Sequence, residues 1–277
     1  MCWNNCPFCV SRMHSEEYGK SIIQPNHEIP QSYLDRMQFV RDEGCNSMII
    51  TGTAEPQQNM GFIADLLRAN RKLRTPFYNI TLQTTGSNLE DYDLAGLAGL
   101  GLTTISLSIS SPDPQRNAEI IGMPKKTIRN YRYIACAAKE AGLVTRASVN
   151  LSEEFDKWFP TNFWHPIRFF HWALSNHFDQ ITFRALYADG DSDQAKWIAA
   201  HPFPEEKLEE IRYYIQTEGT PIMRLPYGLM KYSVHGVSTV LDDDCMSKDQ
   251  IDDLKYAILR PNGHLYSRWD DTGSLIF

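Results

Sequence analysis

No apolar run in the 277 residues approaches the ~20 that a membrane-spanning helix needs, so a helical membrane protein is excluded and a soluble one is expected. Basic residues are in the minority, with 27 Lys+Arg against 34 Asp+Glu and a formal charge of −7, which argues against a broad nucleic-acid surface. The opening residues, MCWNNCPFC, have neither the basic region nor the small-residue cleavage site of a secretory signal, and the expected location is cytoplasmic. Fixed-period repeats, low-complexity stretches and long polar linkers are also missing, so one main domain is the simplest organisation. Cysteine is scarce outside the first nine residues: Cys45, Cys136 and Cys245 stand singly. That distribution is no disulfide framework, and a tight cysteine cluster in a cytoplasmic chain points instead to metal.

What is present suits one large α/β domain, since 42% apolar residues in a chain of this length supply a core without help from metal or disulfides. Short β-branched runs recur at Ser47–Gly52, Tyr78–Gly86, Thr103–Ser110, Val144–Asn150 and Gln180–Tyr187, and read as buried parallel strands. Helical patterns separate or follow them at Gln31–Glu43, Met60–Leu73, Leu89–Leu100, Lys126–Ala141 and roughly Thr161–Asn176. This alternation predicts right-handed crossovers and a barrel or twisted open sheet, with the site at the strands' C-terminal ends. After Tyr187 the pattern changes to a polar loop, a helix near Glu205–Gln216 and a short hairpin, Tyr256–Arg260 with His264–Trp269, turning at Pro261-Asn262-Gly263. Residues 1–187 are therefore expected to form the barrel, and residues 188–277 an extension over its mouth.

Three thiols at Cys2-x3-Cys6-x2-Cys9 can wrap one loop around a cubane and leave one iron without a protein ligand. A zinc site completed by His14 is the alternative that these residues leave open. The run CWNNCPFC resembles the CxxxCxxC signature of the radical S-adenosylmethionine (SAM) superfamily, including the aromatic Phe8 before the third cysteine. The resemblance covers roughly residues 1–187 and lies nearest the molybdenum-cofactor and viperin-like branch. It implies an α/β fold, a partial (βα)6 barrel with the C-terminal extension and its hairpin. It also implies a 4Fe–4S cluster on Cys2, Cys6 and Cys9, with SAM chelating the unique iron.

Further strand ends carry the same resemblance. Thr51-Gly52-Thr53-Ala54-Glu55-Pro56 is similar to the family's GGEP motif with the second glycine replaced, which implies SAM contacts from Gly52, Thr53 and Glu55. Gln83-Thr84-Thr85-Gly86 resembles a TNG-type strand end, with Thr84 as the residue toward SAM. Ser106, Ser108 and Ser110 share one strand face by period 2; Ser108 and Ser110 either meet the SAM ribose or bond locally to backbone. Arg146, Ser148 and Asn150 share the next face, where Arg146 suits the SAM carboxylate and Arg184 the same group or the substrate. The family normally has a strand leading into the cluster loop, whereas here Cys2 follows Met1 directly.

In the family the reduced cluster cleaves SAM to methionine and a 5′-deoxyadenosyl radical, which then abstracts hydrogen from a substrate. The expected cofactors are thus one 4Fe–4S cluster and SAM, and the expected partner a one-electron donor of flavodoxin or ferredoxin type. A small-molecule substrate, such as a nucleoside, sugar or amino acid, is expected; a peptide or protein modifier is the second reading, and a non-catalytic iron–sulfur or zinc protein the third. Cys45 and Cys136 read as packing residues. Cys245, in an acidic loop of the extension, is either a hydrogen-atom donor to a substrate radical or an incidental thiol.

Overall fold

The computed structural model describes residues 2–14, 29–158, 164–225, 228–243, 256–269, 271 and 273–277. Helix α1 (Val10–Met13) follows the cysteine loop and α2 (Gln31–Asp42) precedes the sheet. Four βα steps then run β1 (Ser47–Ile50), α3 (Met60–Asn70), β2 (Asn79–Thr84), α4 (Asp91–Leu100), β3 (Thr104–Ile109), α5 (Pro114–Ile120), α6 (Tyr131–Glu140), β4 (Val144–Leu151), α7 (Glu153–Asp156), α8 (Ile167–Ser175) and β5 (Gln180–Ala185). Their sequence-predicted counterparts differ mainly in losing a residue or more at the ends, where the first and last backbone groups leave the ladder or helix for turns. Asn59 and Asn130 start α3 and α6 by accepting from the Phe62 and Arg132 backbone N–H groups.

The chain then forms α9 (Asp193–Ala200), α10 (Glu205–Glu218) and a meander of β6 (Thr220–Arg224), β7 (Met230–Val234) and β8 (Val237–Asp242). Strand order is β1-β2-β3-β4-β5-β8-β7-β6. β1 to β5 and β8 are mutually parallel, while β7 and β6 add antiparallel strands at the far edge. The six parallel strands of the partial barrel thus take their last member, β8, from residues expected to lie in the extension. Its run Val237–Asp242 follows β7 after a two-residue turn instead of a helix, and so shows no βα signature in the sequence.

The helices that connect the parallel strands pack on one face of the curled sheet. Leu82, Ile105, Leu107, Ala147, Val149, Ile181 and Phe183 point to that side and pack with Ile63, Leu67, Leu97, Ile134, Ala138, Phe169 and Phe170 in the main core. The opposite parity carries Gln83, Ser106, Ser108, Arg146, Ser148, Asn150, Gln180, Thr182 and Arg184, so the inner face is polar. The C-terminal hairpin, β9 (Ile258–Leu259) with β10 (Leu265–Tyr266), docks on α2: the Tyr33 hydroxyl donates to the Arg260 carbonyl at 3.1 Å, and Phe39 stacks on Phe277 at 5.3 Å. No helix among the described residues is long and apolar enough to cross a membrane.

Candidate functional site

The cysteine loop lies across the C-terminal ends of three successive strands because its own polar groups tie it there. Trp3 N–H donates to Gln58 Oε1 at 2.9 Å after β1, Asn4 Nδ2 to Thr85 Oγ1 at 3.0 Å after β2, and Asn5 N–H to the Ile121 carbonyl at 2.7 Å after β3 and α5. Arg12 reaches back to the Asn4 carbonyl at 3.1 Å. Phe8 is buried against Trp197 of α9, Ile121 and Ile198, so its ring anchors the loop in a small apolar cluster separate from the main core. Gly122 has φ +59°, and a Cβ there would stand 2.8 Å from the Asn5 Cβ; the loop needs glycine beneath it.

The three thiols are not drawn together as a single metal ion would draw them. A zinc ion with Zn–S bonds of ~2.3 Å draws its sulfurs to about 3.8 Å of one another. Among the described residues, no three of Cys2, Cys6, Cys9 and His14 bring their ligand atoms within 4.8 Å of one another. Burial, followed by the neighbouring Cys9 and Cys2 charges, pushes the Cys6 thiol up to about 12, the behaviour of clustered thiols that a cationic iron centre would reverse. His14 turns to Trp269, edge-on at 4.8 Å, with Asp189 at 3.9 Å. Cys45, expected to be packed, is exposed: its sulfur donates to the Ser47 carbonyl at the start of β1, outside the core.

Behind the loop, buried Glu55 is a hub. One oxygen accepts from the Thr84 hydroxyl at 2.5 Å, and the other from the Thr85 N–H at 3.0 Å and the Thr85 hydroxyl at 2.7 Å. Gln57 adds a bond to Thr84 at 2.7 Å. Thr84 therefore faces the helix side and is saturated there, while Thr85 links Glu55 to Asn4 of the cysteine loop. Gly52 and Thr53 are exposed at the end of β1. A Cβ on Gly52 would meet nothing closer than the Ala54 carbonyl at 3.7 Å, so no contact within the chain demands glycine there.

Register stacks the inner face in polar rows. Gln83, Ser106, Arg146, Gln180 and Ser238 form one; Ser108, Ser148, Thr182 and Val240 the next; Asn150, Arg184 and Asp242 the one at the strand ends. Ser108 accepts from Gln83 Nε2 at 2.7 Å, and Ser110 from Asn150 Nδ2 at 3.2 Å. Asn117 of α5, through its bond from the Ser110 N–H at 2.7 Å, fixes the turn at the end of β3. Arg184 faces Asp242 at 3.8 Å. Arg146 sits low, its Nε donating to Oε1 of Gln180, the first residue of β5, at 2.8 Å; burial and then the Arg184 charge push its pKa down. Cys245 lies outside the described residues.

Sequence reasoning missed Asn4, Gln57, Gln58 and Asn117. Each is a neutral amide whose role depends on a distant backbone or hydroxyl partner, and only the proximity of Asn4 to the cysteines was a signal. Glu153, Glu154 and His201 also place ligand atoms together, but Glu154 pairs with Arg116 and both carboxylates pair with Lys157.

The molecule is thus a helix-backed half-barrel with three thiols over its strand ends. Residues 1–159 match the family model described as the radical SAM superfamily, and the chain belongs to that superfamily, which uses a 4Fe–4S cluster and SAM. Similar solved structures include Streptococcus suis SuiB bound to precursor peptide SuiA, at 16% identity and TM-score 0.52 over 78% of this chain and 44% of that one. The same protein bound to SAM gives 18% identity and TM-score 0.51 over 78% and 42%. HydG, a maturase of the FeFe-hydrogenase, gives 16% and 0.52 over 76% and 45%. The chain spans less than half the length of these structures. No curated protein matches the sequence.

Proposed function

We propose that the protein is a radical SAM enzyme that reductively cleaves SAM and abstracts hydrogen from a small molecule such as a nucleoside, sugar or amino acid. The observation that carries this reading is the set of three thiols tied across the strand ends, directly over a polar inner face. Cys2, Cys6 and Cys9 would hold the 4Fe–4S cluster, and a donor of flavodoxin or ferredoxin type would reduce it. When bound, cluster and SAM together supply a 5′-deoxyadenosyl radical. Exposed Gly52 and Thr53 leave room for SAM beside the loop, and the Glu55–Thr85–Asn4 chain of bonds holds that edge in place. Ser110, Asn150 and Arg184 present hydroxyl, amide and guanidinium groups at the same level. The serine rows below them offer further hydrogen-bonding groups to a polar substrate, which favours a small molecule.

The test is anaerobic reconstitution with iron and sulfide. The wild type is expected to show a reduced 4Fe–4S EPR signal and to release 5′-deoxyadenosine on reduction with SAM. Alanine at Cys2, Cys6 or Cys9 should remove the signal, while alanine at Cys45 or Cys136 should leave it. A normal signal in all three N-terminal variants would overturn the assignment.

A further inference from the structure

The inner face has more donors than acceptors at one level, and that level is away from the cysteine loop. Arg146 lies four residues before Asn150, roughly 13 Å down the strand at the usual rise. Its guanidinium bonds to Gln180, its neighbour in the same row, rather than to a group at the strand ends. Beyond the Nε bond to Gln180, Arg146 has no hydrogen bond or ion pair to any described residue.

The neighbours do not neutralise it. Gln83, Ser106, Gln180 and Ser238, which share its row, are all uncharged, and so are Ser108, Ser148 and Thr182 above. Asp242 is the one carboxylate on these rows, and it faces Arg184 instead. The hydroxyls of Ser106 and Ser238, on either side along the row, are buried without a partner among the described residues. Arginine cannot shed its proton, and a partly buried cation without an anion is unfavourable. Its terminal nitrogens form a planar fork that matches a carboxylate or phosphate.

We infer that Arg146 is a specificity-determining residue that binds an anionic terminus of the substrate, a carboxylate or a phosphate, deep in the half-barrel. SAM would then hold its own carboxylate by other groups nearer the strand ends, and the substrate is an elongated molecule whose reacting carbon stands above its anion. The inference rests on the reading of the inner face as the substrate chamber of a radical SAM enzyme.

The experiment titrates inorganic phosphate and, separately, acetate into the reconstituted protein by calorimetry, with and without SAM, for the wild type, Arg146→Met, Arg146→Gln and Arg146→Lys. The wild type is expected to bind one of the two anions, and which one it prefers tells a phosphate ester from a carboxylic acid. Both neutral variants should bind that anion about tenfold more weakly or worse, the scale of one charge-assisted contact, and the lysine variant should recover part of the loss. Cluster content and SAM affinity should stay at wild-type values in all three. Equal anion affinity in the wild type and whichever neutral variant folds, or binding of neither anion by the wild type, overturns the inference. A loss of SAM affinity instead would show that Arg146 serves the SAM carboxylate. Failure of the wild type to hold a cluster or SAM would sink the enzyme reading, while the anion titration without SAM would still report on Arg146.

Discussion

Glu55 and Gly52 stand three residues apart at the end of β1 and do different work. Glu55 is 4% exposed and accepts three bonds that join β1 to β2, and through Thr85 to the cysteine loop. Glu55→Gln puts an amide donor where Thr85 offers two donors, so it is expected to cost about 1–3 kcal/mol in urea unfolding and to weaken SAM binding through the displaced loop. Gly52→Ala is expected to leave unfolding unchanged, because a Cβ there finds open space, and to weaken SAM binding alone. A stability loss in Gly52→Ala would mean that the glycine serves the fold. At this scale the cysteine loop was legible: cysteine spacing is local and rare, whereas the amides that hold the loop are common residues with remote partners.

Asp179, just before β5, ties elements together. It accepts from the Thr145 N–H and hydroxyl of β4, both at 2.9 Å, pairs with Lys139 of α6 at 2.8 Å, and its carbonyl takes the Ser238 N–H of β8. Burial alone would raise its pKa, but the bonds from Lys139 and Thr145 outweigh it and hold the carboxyl below its usual range. A carboxylate depressed in the folded state contributes stability above its unfolded pKa and loses it as pH falls through the folded one. Asp179→Asn should therefore be less stable than wild type near neutral pH, with the gap closing as acid protonates the wild-type group; a gap that does not vary with pH between 2 and 7 would refute the electrostatic role, with thermal unfolding followed at about 0.15 M salt. Strands β1 to β5 were legible as elements because each is a short run rich in β-branched residues bounded by turn residues. The short helix α5 was not, since Pro114–Ile120 is polar and its place is set by Asn117 gripping the end of β3.

Over the whole molecule, the C-terminal residues divide into two roles. β8 completes the parallel sheet and carries β7 and β6, so a chain cut from Val240 onward should fail to fold to a soluble species. A chain cut after Asp243 keeps that strand but loses the hairpin that covers Tyr33, Phe39 and His14. It should remain folded with a lower midpoint, by about 2–4 °C for each kcal/mol of lost contact, when followed by circular dichroism. An unchanged midpoint would show the hairpin to be a passive appendage. Its docking on α2, and the contact of Trp269 with the residue closing α1, place it beside the cysteine loop at the β1 side of the barrel.

By itself the sequence determined the alternation of strand and helix, the polar parity of the inner face and the three-thiol loop. Each depends on residues near one another in the chain: apolar runs, period-2 alternation and cysteine spacing. Tertiary structure decided which strand became the sixth, that Glu55 and Thr84 bind each other, that Phe8 anchors the loop, and that Arg146 bonds to Gln180. Those outcomes depend on register across strands and on contacts between residues tens of positions apart. Periodicity tells which face a side chain takes; only pairing tells how far along that face it stands.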